Sequence, residues 1–161
     1  MNHDKLEFLQ NDFIFLLKHL APDAHGKWGV MNGQQMVEHF IEVVRIASGK
    51  TVAPVLNQGE KLEKFRQFIR TDKPFRENTK NPMLSETPAS SHYPTMQTAI
   101  AELEKEIGYF ISVFEKTPEH TTLNPFAGAL NFSDNVLLLY KHAIHHLAQF
   151  GLREKETPSA E

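Results

Sequence analysis

Three histidines near the C-terminus, His142, His145 and His146, are the side chains whose types and spacing best suit metal chemistry. They lie in a stretch that is predicted to form one helix. Residues four apart on a helix share a face, with Cβ atoms about 5–6 Å apart, so His142 and His146 can direct imidazole nitrogens to one point. His145 lies three residues from His142 and is the rival second ligand. The spacing predicts two ligands of a single divalent metal ion.

Another histidine, His39, lies within the apolar stripe of a second predicted helix, residues 33–48. If this helix faces the C-terminal one, His39 joins His142 and His146 across the interior. Three neutral imidazoles leave the fourth position of a zinc-like ion to water, which is typical of catalytic rather than closed structural sites. The alternative is that His39 bonds a backbone carbonyl in the core, while the C-terminal histidines line a solvent edge. Spacing alone leaves both interpretations open.

Four amphipathic helical patterns must position these histidines. Apolar residues recur at three- and four-residue steps over residues 4–20, 33–48 and 94–116, and from a cap at Asn131 or Ser133 to residue 152. Four helices and no strand pattern predict an all-α fold, a four-helix bundle. The region 119–130 is predicted to be a turn.

The long segment between the second and third predicted helices, residues 49–93, is broken by several prolines. Only residues 62–69 are periodic enough for a short extra helix, so we expect a long crossover that carries it. A loop of this length in a compact domain is usually functional or covers something. At the start of the second helix, Asn32 and Gln35 have the spacing of a capping box.

Composition sets the broad class. The 161 residues fit one domain, predicted over 1–152, with a polar tail at 153–161. The absence of cysteine excludes disulfides, thiolate zinc sites and a cysteine nucleophile. The net charge is −3 with scattered Lys and Arg, so we expect no nucleic-acid partner. No targeting signal or membrane span is evident, which predicts a soluble, cytoplasmic protein.

The order of Trp28, His39 and the run His142-Ala143-Ile144-His145-His146, with Gln149 three residues beyond, resembles the DinB and YfiT-like superfamily of metal-dependent proteins. Members have a tryptophan before the second helix, one histidine on that helix, and an H-x-x-x-H followed by glutamine on the last. The likeness is greatest to an uncharacterised branch. Trp28 itself is interpreted as a packing residue at one end of the bundle.

This resemblance implies a four-helix bundle with a long crossover, often dimeric, in which His39, His142 and His146 hold nickel or zinc. Relatives include bacillithiol transferases and a mycothiol-dependent isomerase, so a low-molecular-weight thiol is the implied cosubstrate. The chain departs from the family pattern at Ala143, where glutamate is common, and at Leu147, where arginine is common.

Five further residues are weaker site candidates. Gln149 is expected either to hold a bound water or orient a ligand, or to be a solvated or capping group near the helix end. Glu38 and Glu42 flank His39 and are either partners of the ligands, or a general base, or plain surface acids. His25 and His92 lie in loops that are able to close over a metal.

These observations predict a metal-dependent enzyme that carries out hydrolysis or transfers a thiol to a small electrophile. The alternative is a non-catalytic bundle that binds a ligand or partner and holds a structural or vestigial metal. A pH-responsive interaction module is a third interpretation, because paired histidines titrate near neutral pH. The expected partner is a small-molecule substrate, and a homodimer is plausible.

Overall fold

The computed structural model describes residues 2–78 and 87–154, a mostly helical fold with one small sheet. In chain order its elements are α1 (His3–Gln10), α2 (Asp12–Leu17), α3 (Gly33–Ala47), α4 (Gly59–Ile69), α5 (Met96–Lys116), β1 (Thr122–Asn124), β2 (Gly128–Leu130) and α6 (Phe132–Gln149). Within those ranges, none of the helices combines the length and apolarity needed to cross a membrane. Residues 155–161 of the predicted tail lie outside the described residues.

The predicted first helix is interrupted at Asn11, which separates α1 from α2. Hydrogen bonds bridge the interruption, because the Asn11 N–H donates to the Glu7 carbonyl and the Phe15 N–H donates to the Asn11 carbonyl. The two segments therefore continue one another. They bury a common apolar face that includes Leu9, Phe13, Ile14 and Leu17.

Helix α3 begins as the sequence predicts. The Asn32 side chain accepts a hydrogen bond from the Gln35 N–H, and the Gln35 side chain accepts one from the Asn32 N–H, which confirms the capping box. The apolar stripe of α3 lies in the main core, which it shares with α1, α2, α5 and α6. Its core residues are Met36, Val37, Phe40, Ile41, Val44 and Ala47.

Helix α5 begins at Met96 rather than at Pro94, where the sequence analysis placed its start. Thr95 is the N-cap, and its hydroxyl accepts a hydrogen bond from the Thr98 N–H. This side-chain cap satisfies an N–H group that has no partner within the helix. Pro94 therefore lies before the cap instead of inside the first turn.

The prediction of an all-α four-helix bundle was wrong. Strands β1 and β2 pair antiparallel in the region that was predicted to be only a turn, with Thr122 opposite Leu130 and Asn124 opposite Gly128. The hairpin is tied to α3, because the Thr122 hydroxyl donates to the Ala47 carbonyl over 2.7 Å. The fold is therefore mostly helical with a small sheet.

The turn chemistry of the hairpin explains why only the turn was recognised. The Asn124 side-chain oxygen accepts hydrogen bonds from the N–H groups of Phe126 and Ala127, and Gly128 has a positive φ of 69°. Both are local turn signals. The strands on either side have three residues each, which is too short to show an alternating pattern.

Helix α6 begins at the first of its two predicted caps. The Asn131 side chain accepts a hydrogen bond from the Asp134 N–H, and the helix ends at Gln149, three residues before the predicted end. Its core positions face α1 and α3, so that α6 carries its histidines towards α3. Those core residues are Val136, Leu139, Ala143, Ile144 and Leu147.

The crossover between α3 and α5 contains α4, which is three residues longer at its start than the predicted short helix. Ile69 at the end of α4 belongs to a second, smaller core with Ala127, Leu130 and Leu138, and Phe65 and Phe75 pack against it. Residues 79–86, the part of the crossover that includes Pro82, lie outside the described residues.

Candidate metal centre

The three histidines predicted as metal ligands meet between α3 and α6. The Nε2 atoms of His39 and His142 lie 3.4 Å apart, and those of His142 and His146 lie 2.8 Å apart. One ring nitrogen from each of the three lies within 4.8 Å of the others. A single point between α3 and α6 is thus within reach of three imidazole nitrogens.

Their surroundings are aromatic. The fully buried Phe40 ring lies beneath the cluster, 5.4 Å from the His142 ring and 6.4 Å from the His146 ring. Phe75, from the chain that follows α4, lies 5.8 Å from the His142 ring. His146 is only 4% exposed, whereas His39 and His142 keep partial exposure to solvent. The cluster is therefore mostly enclosed, and His39 and His142 are its more exposed members.

This environment favours neutral imidazoles. Burial, with a smaller contribution from the charge of His145, lowers the pKa of His39 to about 4. Burial also lowers the pKa values of His142 and His146 well below the ordinary range, and the neighbouring histidines add to the effect. Neutral imidazole is the form that ligates metals, so at neutral pH the cluster is ready to bind a cation.

His145, the rival ligand, is placed differently. Its ring lies 5.5 Å from the Trp28 ring and 5.8 Å from the Phe75 ring, and its nitrogens are outside the convergent group found among the described residues. The structure therefore brings together His142 and His146, the pair four residues apart. Trp28 lies beside His145 and is partly exposed. The sequence had predicted a residue packed into one end of the bundle.

Gln149 contacts the cluster directly, and its predicted role in orienting a ligand stays a prediction. Its Oε1 lies 2.7 Å from His146 Nδ1, and its Nε2 donates to the Trp28 carbonyl over 2.9 Å. The side chain is only 4% exposed. Gln149 thus connects a cluster histidine to the backbone of the loop before α3.

Two contributions to the site were missed by the sequence analysis. Phe75 covers His142 and His145, and the buried Lys141 holds the chain just before Phe75 by donating to the carbonyls of Thr71 and Lys73. The long crossover did signal a covering segment. Which aromatic residue covers the site depends on the packing of α4 against α6, and no local pattern encodes that packing.

The acids beside His39 have structural partners. Both oxygens of the Glu38 carboxylate are used, because they accept hydrogen bonds from the N–H groups of His92 and Tyr93 and from the Gln34 side chain. Glu42 pairs with Arg45 at 2.6 Å. These contacts anchor the crossover and brace α3 rather than touch the histidine nitrogens.

The two loop histidines lie apart from the cluster. His25 is exposed, and its backbone bridges to that of Asn32. His92 is also exposed, and its ring lies against Tyr93 at 5.1 Å. Neither belongs to the convergent group found in the described part of the chain.

The donor set fits a divalent transition metal. Zn–N bonds of roughly 2.0–2.1 Å place two ligands of a tetrahedral ion about 3.4 Å apart, which is the separation of His39 Nε2 and His142 Nε2. The 2.8 Å between His142 and His146 needs to widen by about half an ångström to match. Imidazole ligands suit zinc, nickel, copper and iron rather than magnesium or calcium.

Comparison with known proteins finds no match for this chain among family models, curated proteins or solved structures. The resemblance to the DinB and YfiT-like superfamily therefore stays a prediction. The function has to be argued from the site itself.

Proposed function

We propose that this protein is a divalent-metal-dependent enzyme in which His39, His142 and His146 hold one ion, with zinc or nickel as the best-suited metals. The observation that carries the proposal is the convergence of three Nε2 atoms from two helices. Burial of three neutral bases at one point costs solvation free energy, and coordination of a cation compensates for that cost.

The chemistry follows from the donor set. A divalent ion with three protein ligands acts as a Lewis acid, and in zinc enzymes it brings the pKa of a bound water to about 7. The three histidines would bind and orient the ion, while Phe40 and Phe75 exclude bulk water from it. We infer hydrolysis or the transfer of a thiol to a small electrophile as the reaction class.

The substrate is proposed to be a small molecule. The chain has no cysteine, so a thiol nucleophile has to come from outside, and a low-molecular-weight thiol meets that requirement. His39 and His142 keep partial exposure to solvent, and the substrate would approach from their side of the cluster. The homodimer, the cytoplasmic location and the absence of a nucleic-acid or membrane partner stay predictions.

The first experiment measures the metal content of untagged protein by elemental mass spectrometry. We expect about one equivalent in the wild type, loss of the metal in His142→Ala, and retention in the matched control His145→Ala, which removes a histidine from the same helix but not from the cluster. A wild type that is empty and takes up neither zinc nor nickel on titration would overturn the proposal.

The enclosed position of His146 favours a second candidate, a non-catalytic domain whose metal is structural. Cobalt substitution separates the two. An open coordination position predicts that the visible spectrum of the cobalt protein changes on addition of 2-mercaptoethanol. An unchanged spectrum indicates a closed site and favours the structural metal.

A further inference from the structure

We propose that Gln149 is a positioning residue that fixes the tautomer of His146, so that the nitrogen facing His39 and His142 carries a lone pair and no proton. The inference rests on the proposed metal site, which it deepens. It is carried by a chain of two hydrogen bonds that runs from the Trp28 carbonyl through Gln149 to the His146 ring.

The orientation of the Gln149 amide follows from its contact with Trp28. A backbone carbonyl only accepts hydrogen bonds, so the group 2.9 Å from it must be the NH2 of the amide. The reverse orientation would place two oxygen acceptors against each other. The amide oxygen of Gln149 therefore faces His146.

The hydrogen bond between Gln149 and His146 fixes the position of the His146 proton in the same way. The Gln149 Oε1 atom accepts but cannot donate, so the His146 Nδ1 atom at 2.7 Å must carry the proton. A neutral imidazole has one N–H, which leaves the His146 Nε2 atom unprotonated. That is the atom 2.8 Å from His142 Nε2. The two hydrogen bonds thus prepare the ligand nitrogen before any cation arrives.

The loop around Trp28 is built for close approach to Gln149. The Lys27 N–H donates to the Gln149 carbonyl at 2.7 Å. A Cβ atom at Gly29 would lie 2.7 Å from Gln149 Nε2, and one at Gly26 would lie 2.9 Å from Gln149 Cγ. Gly29 also has a positive φ of 80°. Both glycines let the backbone approach the Gln149 amide closely. The contribution of Trp28 to the cluster is therefore its backbone carbonyl, which accepts the hydrogen bond from Gln149, and not its ring.

The experiment compares Gln149→Met, Gln149→Glu and the matched control Gln34→Met. Methionine keeps the length of the side chain but loses both strong hydrogen bonds, whereas glutamate keeps an acceptor for the His146 N–H. Gln34 is a suitable control because it lies on α3, is 7% exposed and donates to the Tyr93 carbonyl over 2.8 Å without contacting the histidine rings.

Two readouts are measured on each protein. Long-range proton–nitrogen NMR of histidine-labelled, metal-free protein at neutral pH reports the tautomer of His146. Competition with a chromophoric chelator reports the affinity for zinc alone. We expect the wild type and Gln149→Glu to hold the Nδ1–H tautomer and Gln149→Met to show a mixture. We also expect Gln149→Met to bind zinc about 10- to 100-fold more weakly.

The proposal is overturned if Gln149→Met keeps the wild-type tautomer, or if Gln34→Met weakens zinc binding as much as Gln149→Met does. The second result would mean that any lost side-chain anchor loosens the helices. Failure of the proposed function gives a different result, because a wild type that binds no zinc still reports the His146 tautomer in its metal-free spectrum.

Discussion

Helix α3 contributes to two polar clusters that differ in how their electrostatics are satisfied. Towards α6 it supplies His39, which meets His142 and His146. Towards α5 it supplies Arg45, whose Nε donates to Glu106 over 3.2 Å. Both clusters remove polar groups from water, and both therefore need compensation.

The charge of Glu106 is paired by the protein's own cations, although its Oε2 atom is buried without a hydrogen-bond partner among the described residues. Oε1 of this fully buried carboxylate accepts hydrogen bonds from Arg45 and, at 2.7 Å, from the Lys50 ammonium. Burial alone would raise the pKa of Glu106, but the two cations outweigh it and hold the pKa below its ordinary value. Arg45 also pairs with Glu42 and Glu102. Opposite charges meet here, so the cluster needs no further ion.

The histidine cluster brings together three groups of one kind. Each is a neutral base, and burial keeps it neutral. In the metal-free protein the unprotonated His146 Nε2 atom is placed to accept a hydrogen bond from His142 Nε2 at 2.8 Å, whereas a shared cation would engage a lone pair of all three imidazoles at once. The comparison teaches that a buried network of paired opposite charges stabilises the fold. A buried group of three neutral bases instead points to a site for a ligand.

The largest expected effect is the loss of stability when the charge cluster around Glu106 is disrupted. Replacement of Glu106 by alanine removes two charge-assisted hydrogen bonds, each worth about 1.5–3 kcal/mol, and should lower the free energy of unfolding by about 3–5 kcal/mol. Urea unfolding followed by circular dichroism measures it. Glu104→Ala is the control, because Glu104 forms a surface pair with Lys18 at 3.4 Å, and surface pairs contribute about 0–1 kcal/mol. Equal losses in the two variants would contradict the stabilising role of the charge cluster.

The next effect tests whether the histidine cluster binds a cation. At free zinc about 100 times its dissociation constant, the free energy of unfolding should rise by about 2.7 kcal/mol, because the metal binds the folded state alone. Thermal or urea unfolding with and without zinc measures the gain. His142→Ala should lose it and His145→Ala should keep it. If zinc stabilises both variants as it does the wild type, the binding lies elsewhere on the protein.

The smallest effect is the contribution of His39 to the pH dependence of the metal-free protein, to which His142 and His146 add their own contributions. His39 has a pKa of about 4 when folded and an ordinary value of 6.5, so the unfolded chain binds more protons between these values. The stability contribution of neutral His39 is complete above about pH 6.5 and is lost as pH falls towards 4. The loss is roughly 2 kcal/mol after allowance for the partial exposure of the ring.

Unfolding in a chelator-containing buffer over this pH range measures the slope. The control is His39→Gln, which removes the titrating group, so the difference between the two curves isolates His39 from the carboxylates. Identical slopes would show that His39 titrates normally in the folded protein.

Local rules predicted the elements of this fold well where one signal lies within a few residues. The capping box of Asn32 and Gln35 is confirmed, and Asn131 caps α6 as one of two predicted residues. The predicted fold class was wrong because three-residue strands carry no periodicity, and the hairpin they form is joined to α3 by a contact between residues distant in the chain. Side-chain caps depend on residues a few positions apart and can be predicted from the sequence, but the pairing of such short strands cannot.

The candidate site shows the same division. Helical spacing places His142 and His146 on one face and leaves His145 as a rival, because spacings of three and four are both compatible with a shared face. The choice between them came from the packing of α6, which turns His145 towards Trp28 and Phe75. The identity of those residues as metal ligands stays a prediction.

By itself, the sequence determined where helix α3 begins, and it narrowed the start of α6 to two caps and the partner of His142 to two histidines, because these features depend on neighbours within one or two turns. The tertiary structure alone decided that His39 lies beside His142, 103 residues away in the chain. It also decided that a backbone carbonyl at Trp28 orients the Gln149 amide. A carbonyl has no sequence signature, and only the packing of the helices and loops determines which side chain reaches it.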